Sequence, residues 1–175
     1  MNDSRASMLS AAQMRQAFDE SFAAQPASVV QEVEALLSIR VAGDAYAIRL
    51  SEITGIITGR KLVAVPAAAP HFVGVSGIRG GIVPVFSLAS MLGHSHGQGS
   101  ESVRWLVLCG TDEPIALGFS GFEGYLRVPK SALHSDEKLQ STHTYVDAVV
   151  ASESGLRAVL GLSLVAASIR NRKEK

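Results

Sequence analysis

The chain has 175 residues, of which 47% are hydrophobic and 18% are charged, and its 16 basic residues balance its 16 acidic ones. This composition is typical of a globular protein with an ordinary hydrophobic core. The zero net charge argues against a general attraction to nucleic acid or to an anionic membrane surface. We therefore expect the partners to be proteins and do not expect nucleic acid among them.

The lack of a recognisable targeting pattern and the single cysteine both favour the cytoplasm. No apolar run approaches the roughly 18 residues that a membrane span needs, and the N-terminus lacks the charged-then-apolar layout of a signal peptide. The one cysteine, Cys109, lies in the apolar run VRWLVLCG and has no partner for an internal disulfide. A buried thiol of this kind suits a reducing compartment. We expect a cytoplasmic protein.

Residues 1–34 form a polar, alanine-rich N-terminal extension that Pro26 interrupts. Within it, Met14, Phe18 and Phe22 recur every four residues, which is the spacing of one helical face. This spacing predicts a short amphipathic helix. Its apolar stripe either packs on the protein's own body, which is the favoured interpretation, or docks on a partner.

Residues 35–168 have the pattern of a β protein. The run LLSIRVAGDAYAIRL predicts a hairpin that turns at Gly43–Asp44. Short, frequent strands with few helices between them favour small antiparallel barrels over a parallel sheet. Ser87 and Ser163 each close a strand and are predicted to cap a helix, a short one that stops at Gly93 and a longer one near the C-terminus.

Two segments of this region are repeated in a loose form. LLSIRVAGD is echoed by RWLVLCGTD, and FVGVSGIRGGIVPVFSL is echoed by YVDAVVASESGLRAVLGLSL. The offset drifts from 67 residues, between Gly43 and Gly110, to 76 residues, between Ser87 and Ser163. The echo indicates a loose duplication and two similar β subdomains.

The duplication suggests a division of the chain. We place the two subdomains at roughly residues 35–95 and 96–168, and we leave open an exchange of terminal strands between them. Residues 169–175 are predicted to form a polar tail, because the last six of them, RNRKEK, are all polar or charged.

Patterns that would indicate catalysis or metal binding are weak. His94 and His96 alternate in a Gly/Ser-rich loop without a neighbouring set of cysteine or carboxylate ligands. Residues 118–124, GFSGFEG, match neither common phosphate-binding motif. Neither Ser87 nor Ser163 lies in a G-x-S-x-G elbow. We therefore expect no enzyme activity, no metal and no cofactor.

The segment FVGVSGIRGGIVPVFSLASMLG, residues 72–93, carries a lone cation, Arg79, at the tip of an apolar hairpin. Gly80 and Gly81 are predicted to supply the positive-φ residues of the turn, and Pro84 predicts an edge strand or a bulge. Arg79 is then exposed beside an apolar surface. It either protects an exposed edge against aggregation or contacts a partner.

The order of these features resembles the CheW-like domain family, the adaptors of bacterial chemosensory arrays. The segment YAIRLSEITGIITGRKLVAVPAAAPHFVGVSGIRGGIVPVFSL is similar to the central stretch of that family, and IRGGIVPV is its most specific part. The later segments PIALGFSGFEGYLRVP and YVDAVVASESGLRAVLGLSL are similar to the second half. The resemblance covers about residues 35–168. It implies an all-β fold of two SH3-like five-stranded β barrels packed around a shared core, with a short N-terminal helix and a C-terminal helix.

The resemblance also implies a function. It implies a non-catalytic adaptor that couples a CheA-type histidine kinase to the cytoplasmic tips of methyl-accepting chemoreceptors and meets the membrane only through those receptors. The alternatives are a regulatory adaptor of a non-flagellar chemosensory pathway, an SH3-like barrel that binds a ligand or nucleic acid, and an enzyme that uses Ser87 or His143. The candidate partner-binding residues are Ile53, Gly55, Ile56, Ile78, Arg79 and Gly80.

The chain departs from the family pattern at several positions. Gly77 and Ile78 stand where the family usually has Asn and Leu, and Gly55 stands where an acidic residue is common. Ser87, Ser120 and Ser163 stand where the family often has Asp. For Ser87 and Ser163 the change is mild, because Asp and Ser are comparable helix caps. We interpret the departures as a change of partner.

Overall fold

A computed structural model describes residues 32–66, 71–94, 103–110, 112–135, 144–152 and 155–171 of the chain. The predicted N-terminal helix lies outside these ranges, and so do His96, His143 and the last four residues of the predicted tail. None of the helices in the described ranges is long and apolar enough to cross a membrane.

The described ranges contain eleven strands and two α-helices. The helices are α1, Leu88–Met91, and α2, Leu162–Asn171, and two 3₁₀ turns lie at Leu50–Glu52 and Lys130–Ala132. The strands in chain order are β1 Val33–Val41, β2 Asp44–Arg49, β3 Gly55–Thr58, β4 Phe72–Ile78, β5 Gly81–Ser87, β6 Trp105–Cys109, β7 Ile115–Phe119, β8 Gly121–Pro129, β9 Leu133–His134, β10 Val146–Ser152 and β11 Gly155–Leu160.

The strands form two sheets. The five-stranded sheet has the order β3-β6-β7-β5-β4, and we call it the first barrel; the six-stranded sheet has the order β8-β1-β2-β11-β10-β9, and we call it the second barrel. Neighbouring strands are antiparallel except for β5 with β7 and β2 with β11, which are parallel. The predicted all-β fold of two SH3-like barrels with a C-terminal helix is confirmed. The second barrel has one strand more than predicted, the two-residue β9.

The two barrels repeat one arrangement, and the duplicated sequence segments occupy equivalent places in it. In each barrel a hairpin leads into a helix, as β4–β5–α1 in the first and β10–β11–α2 in the second. The register shifts between Phe72 and Gly74 in β4 and between Val146 and Ala148 in β10. The residues on both sides of the bulge in β4 are 74 positions before the corresponding residues in β10. The offset between the repeats is therefore constant here, whereas the offset read from the sequence drifts.

The two sheets do not divide the chain at residue 95. Strands β1 and β2, from the predicted first subdomain, pair with β8 and β11 of the second. Strands β6 and β7, from the predicted second subdomain, pair with β3 and β5 of the first. Each barrel therefore contains one hairpin from the other half of the sequence, which joins the two halves into one set of sheets.

Three clusters of buried side chains hold this arrangement together. Leu36 points into the second barrel, whereas its neighbour Leu37 faces the largest cluster, which both sheets share. Both side chains are fully buried. Strand β1 is thus covered on both faces, which explains why the apolar Leu36 and Leu37 stand next to each other instead of alternating with exposed polar residues. The interior of the first barrel is formed by Ile78, Val83, Val85, Leu106, Leu108 and Ala116.

The hairpin of β1 and β2 turns one residue earlier than predicted. Val41 pairs with Asp44, so the two turn residues are Ala42 and Gly43. Both have positive φ angles, 51° and 87°. Two such residues in succession match the mirror-image turns whose twist suits a hairpin, and this explains why the glycine occupies the second turn position.

One of the two predicted serine caps is present. The Ser87 Oγ accepts a hydrogen bond from the N–H of Ser90 at 3.2 Å, and Gly93, with a φ of 79°, follows α1. Helix α2, in contrast, begins at Leu162, so Ser163 lies inside the helix and is not its cap. In the 74-residue register, Ser87 corresponds to Gly161 rather than to Ser163, which explains the error.

The carboxylate of Glu52 takes the place of the missing cap on α2. It accepts hydrogen bonds from the N–H of Leu162 at 3.0 Å and from the hydroxyl of Ser163 at 3.1 Å. A negative charge at this position also suits the dipole of the helix. Helix α2 continues to Asn171, so the first three residues of the predicted tail are helical.

Candidate partner-docking surface

Arg79 lies in the turn of the β4–β5 hairpin, at the tip of the first barrel. Ile78 pairs with Gly81, so the two turn residues are Arg79 and Gly80, with φ angles of 51° and 81°. Gly81 was predicted to have a positive φ and does not; Arg79 takes that conformation instead. The left-handed region disfavours a side chain by about 1 kcal/mol. A long cation is therefore held in a turn position that glycine would occupy without strain.

The Arg79 side chain turns back from the tip and lies over the beginning of β3. Its Nη2 donates to the carbonyl of Thr54 at 3.4 Å, and a Cβ placed on Gly55 would lie 3.2 Å from the same nitrogen. The structure therefore brings together two predicted site residues, Gly55 and Arg79. None of the ion pairs in the described ranges includes Arg79, which is exposed. We call Thr54, Gly55, Arg79 and Gly80 the hairpin-tip surface.

The backbone that carries Thr54 and Gly55 is fixed from two sides. The N–H of Thr54 donates to the carbonyl of Leu108 in β6 at 2.8 Å. Glu52, two residues earlier, is bound to the start of α2. The carbonyl and the glycine under the Arg79 guanidinium are thus held in place before any partner arrives.

The apolar residues predicted around Arg79 do not all face the surface. Ile53 and Ile56 are partly buried and pack against the shared core. Ile78 is 4% exposed and points into the first barrel, so the structure differs from the prediction that it forms an exposed wall. The reason is strand alternation, because Ile78 shares the inward face of β4 with Ser76 while Gly77 faces outward.

An exposed apolar residue on the same hairpin was missed. The Ile82 side chain is 80% exposed in β5, where it alternates with the buried Val83. The alternation of residues in GIVPV could have indicated that Ile82 faces outward.

Pro84 lies on the outer face of β5, which was predicted to be an edge strand or to contain a bulge and is an inner strand of the sheet. Strand β5 pairs with β7 only from Val85 onward, so the missing N–H of Pro84 costs no hydrogen bond to β7.

A row of three aromatic rings forms a second exposed apolar feature. The ring centroids of Trp105 and Phe122 are 5.3 Å apart, and those of Phe122 and Tyr125 are 5.5 Å apart. Trp105 and Phe122 pack against the shared core, as Ile56 does, and Tyr125 is 62% exposed. The rings come from β6 in one barrel and β8 in the other. No local sequence pattern connects them.

The weak candidates for chemistry have structural roles. His94 lies with its Nε2 3.2 Å from the hydroxyl of Tyr46, and Ser87 caps α1. Within the described ranges, no three His, Cys, Asp or Glu side chains are grouped as metal ligands. Burial, with a smaller effect of Glu52, raises the pKa of the Cys109 thiol to about 11, although Arg170 acts in the opposite direction.

Comparison with known proteins identifies the family. A sequence model of the CheW-like domain matches residues 35–168, which include parts or all of every strand and both α-helices. The chain belongs to the CheW-like domain family. Within this CheW-like domain, the hairpin-tip surface is formed by the turn of IRGG and by Thr54 and Gly55, where the connection from β2 enters β3.

A solved CheW structure has the same fold. The crystal structure of the scaffolding protein TtCheW from Thermoanaerobacter tengcongensis is similar to this chain with a TM-score of 0.64 and 12% sequence identity. The match covers 74% of this chain and 90% of that chain. No curated protein matches the sequence. The likeness to TtCheW therefore bears on the fold of this CheW-like domain.

Proposed function

We propose that the protein is a non-catalytic adaptor of bacterial chemosensory signalling. It couples a CheA-type histidine kinase to the cytoplasmic tips of methyl-accepting chemoreceptors. Membership of the CheW-like domain family supports this function, and TtCheW, which shares the fold, is a scaffolding protein. The adaptor acts by presenting surfaces and carries out no reaction.

The observation that carries the proposal is the conformation of Arg79. A side chain at a φ of 51° is strained, and the one hydrogen bond that the described structure gives its guanidinium is long, at 3.4 Å. The free energy of folding therefore gains little from an arginine at this position. An exposed, preorganised arginine is a residue type that often dominates protein interfaces. The hairpin-tip surface is accordingly a partner-docking surface.

Binding of purified full-length protein to the kinase and to a receptor fragment, measured separately, tests this function. Arg79→Ala is expected to weaken binding to at least one partner by about 1 kcal/mol or more, while thermal stability stays nearly the same. Arg60→Ala is the matched control, because Arg60 is also exposed but lies past the opposite end of β3. If the wild-type protein binds neither partner, the proposed function is wrong.

Gly55 favours a second candidate, a CheW-like regulatory adaptor of a non-flagellar chemosensory pathway. The acid common in the family at this position is absent, and the Arg79 guanidinium lies over the vacant position instead. A different receptor would then be the partner. Affinity purification from the source bacterium, with identification of the bound kinase and receptors, separates the two pathways.

A further inference from the structure

We propose that the hairpin-tip surface is a carboxylate-binding site, and that the docking partner supplies an Asp or Glu side chain to Arg79. The inference rests on the proposed function, because it names the chemistry by which the docked protein is recognised. The described residues supply three lines of support: the unused hydrogen-bonding capacity of Arg79, the lack of a side chain at position 55 and the prior engagement of Glu52.

Arg79 has donors left to offer. A guanidinium carries five N–H donors in a planar fork that matches a carboxylate. In the described structure one of them bonds to Thr54, at 3.4 Å. Arg40 and Arg157, by contrast, both bind the carboxylate of Glu123, and Arg49 binds that of Asp147. Arg79 is exposed and is positively charged without a described acidic partner, so an acidic group is its electrostatic complement.

Gly55 lets the Arg79 guanidinium lie close to the backbone at the start of β3. A Cβ at this position would lie 3.2 Å from Nη2 of Arg79 and 3.6 Å from the Leu108 side chain. Gly55 is not among the glycines with positive φ, so its backbone would accept a side chain. The glycine is therefore not required by the turn geometry. Its consequence is that position 55 itself offers no acidic side chain to Arg79.

The nearest acidic residue along the chain cannot fill the position. Glu52 lies three residues before Gly55, but both of its carboxylate oxygens are engaged with the start of α2. Among the described residues, Glu52 is therefore not available to Arg79, and we assign the carboxylate to the docking partner. Since Ile82 on the same hairpin is 80% exposed, the matching partner surface carries an Asp or Glu beside apolar side chains.

The experiment compares Gly55→Glu with Gly55→Gln in the full-length protein, using the kinase and the receptor fragment as separate probes. The two side chains have nearly the same size and shape, and only the glutamate can neutralise Arg79 within the chain. We expect Gly55→Glu to weaken binding about tenfold more than Gly55→Gln does. In an Arg79→Gln background the two substitutions should have equal effects, because the charge they act on is gone.

A second measurement does not depend on position 55. Raising the salt concentration from about 50 to about 500 mM should weaken binding of the wild-type protein more than binding of Arg79→Gln, since the ion pair between the two molecules is screened. Thermal melting of each variant shows that it is folded.

The possible results separate this inference from the function on which it rests. If the wild-type protein binds a partner, but Gly55→Glu binds as tightly as Gly55→Gln or more tightly, the carboxylate site is rejected and the adaptor function stands. Equal salt dependence of wild type and Arg79→Gln rejects it as well. If wild type binds neither the kinase nor the receptor fragment, both proposals are rejected.

Discussion

Glu52 and Leu162 are 110 positions apart in the chain, yet the carboxylate of the first caps the helix that begins at the second, with an oxygen to nitrogen distance of 3.0 Å. The contact fixes the connection between β2 and β3 against the C-terminal helix, and this connection leads through Thr54 to Gly55 at the start of β3. The position of the hairpin-tip surface therefore depends in part on a contact with the C-terminal helix α2.

Removing the Glu52 carboxylate should destabilise the protein. Glu52→Ala is expected to lower the free energy of unfolding by about 1 kcal/mol, the usual cost of losing a helix cap, because the first N–H groups of α2 lose their acceptor. Urea denaturation measures the change. Glu113→Ala is the control, since Glu113 is exposed. Equal stability of Glu52→Ala and wild type would show that the cap contributes nothing.

The stability of the second barrel should fall in acid because of Glu123. Burial raises the pKa of this carboxyl group, but hydrogen bonds and charges from Arg157 and Arg40 lower it by more, so its pKa in the folded state lies below the usual value. As the pH falls below about 4.3, the unfolded chain takes up the proton first. The stabilisation is therefore present above that pH and is lost as the pH falls through the folded pKa.

Denaturation of wild type and Glu123→Gln between about pH 7 and pH 3 tests this dependence. The glutamine keeps one of the two acceptor oxygens, carries no charge and does not titrate. The stability difference between the two proteins should be largest near pH 7 and should shrink in acid. Because 26% of the Glu123 side chain is exposed, we expect a moderate effect. A difference that stays constant over this range contradicts the prediction.

Two glycines of β4 should respond very differently to alanine. A Cβ on Gly74 would lie 2.3 Å from the carbonyl oxygen of Val63, and the φ of Gly74 is 144°; Gly77 has open space around it. We expect Gly74→Ala to cost about 2 kcal/mol or more and Gly77→Ala to cost less than about 1 kcal/mol. Thermal or urea denaturation of the pair measures this. Val63 and Val75 are joined by two backbone hydrogen bonds, and similar losses would mean that this pairing does not constrain Gly74.

The Cys109 thiol should be unreactive in the folded protein. It is 3% exposed, and its pKa is raised to about 11 by burial and, to a lesser degree, by Glu52, against a lowering effect of Arg170. Since the thiolate is the reactive form, we expect no labelling by a thiol reagent at about pH 8 until denaturant unfolds the chain. Complete labelling within minutes under native conditions would contradict the structure.

The features that the sequence predicted well depend on neighbours in the chain. Alternating apolar residues and paired turn residues indicated the hairpins, and IRGG indicated an exposed turn with Arg79 at its tip. The turns themselves were misplaced by one residue, at Gly43–Asp44 and at Gly80–Gly81. Turn position follows from strand register, and register is decided by which side chains are buried on both sheets rather than by the turn residues alone.

The burial of Ile78 and the exposure of Ile82 show a second limit. Where strands are covered on one face by a barrel interior and on the other by a shared core, apolar residues occur on both faces. Composition then no longer tells inward from outward positions, and only the strand pairing separates them. The pairing of β4 with β5 is what places Ile78 on the inward face and Ile82 on the outward face.

The sequence by itself determined the all-β class, the duplication and the C-terminal helix, because local periodicity and turn chemistry are written in consecutive residues. The tertiary structure alone decided the exchange of hairpins between the barrels, the cap from Glu52 to α2, the aromatic row and the position of Arg79 over Gly55. Each of these is a contact between segments far apart in the chain, and such contacts form only where burying the two faces of every strand at once brings those segments together.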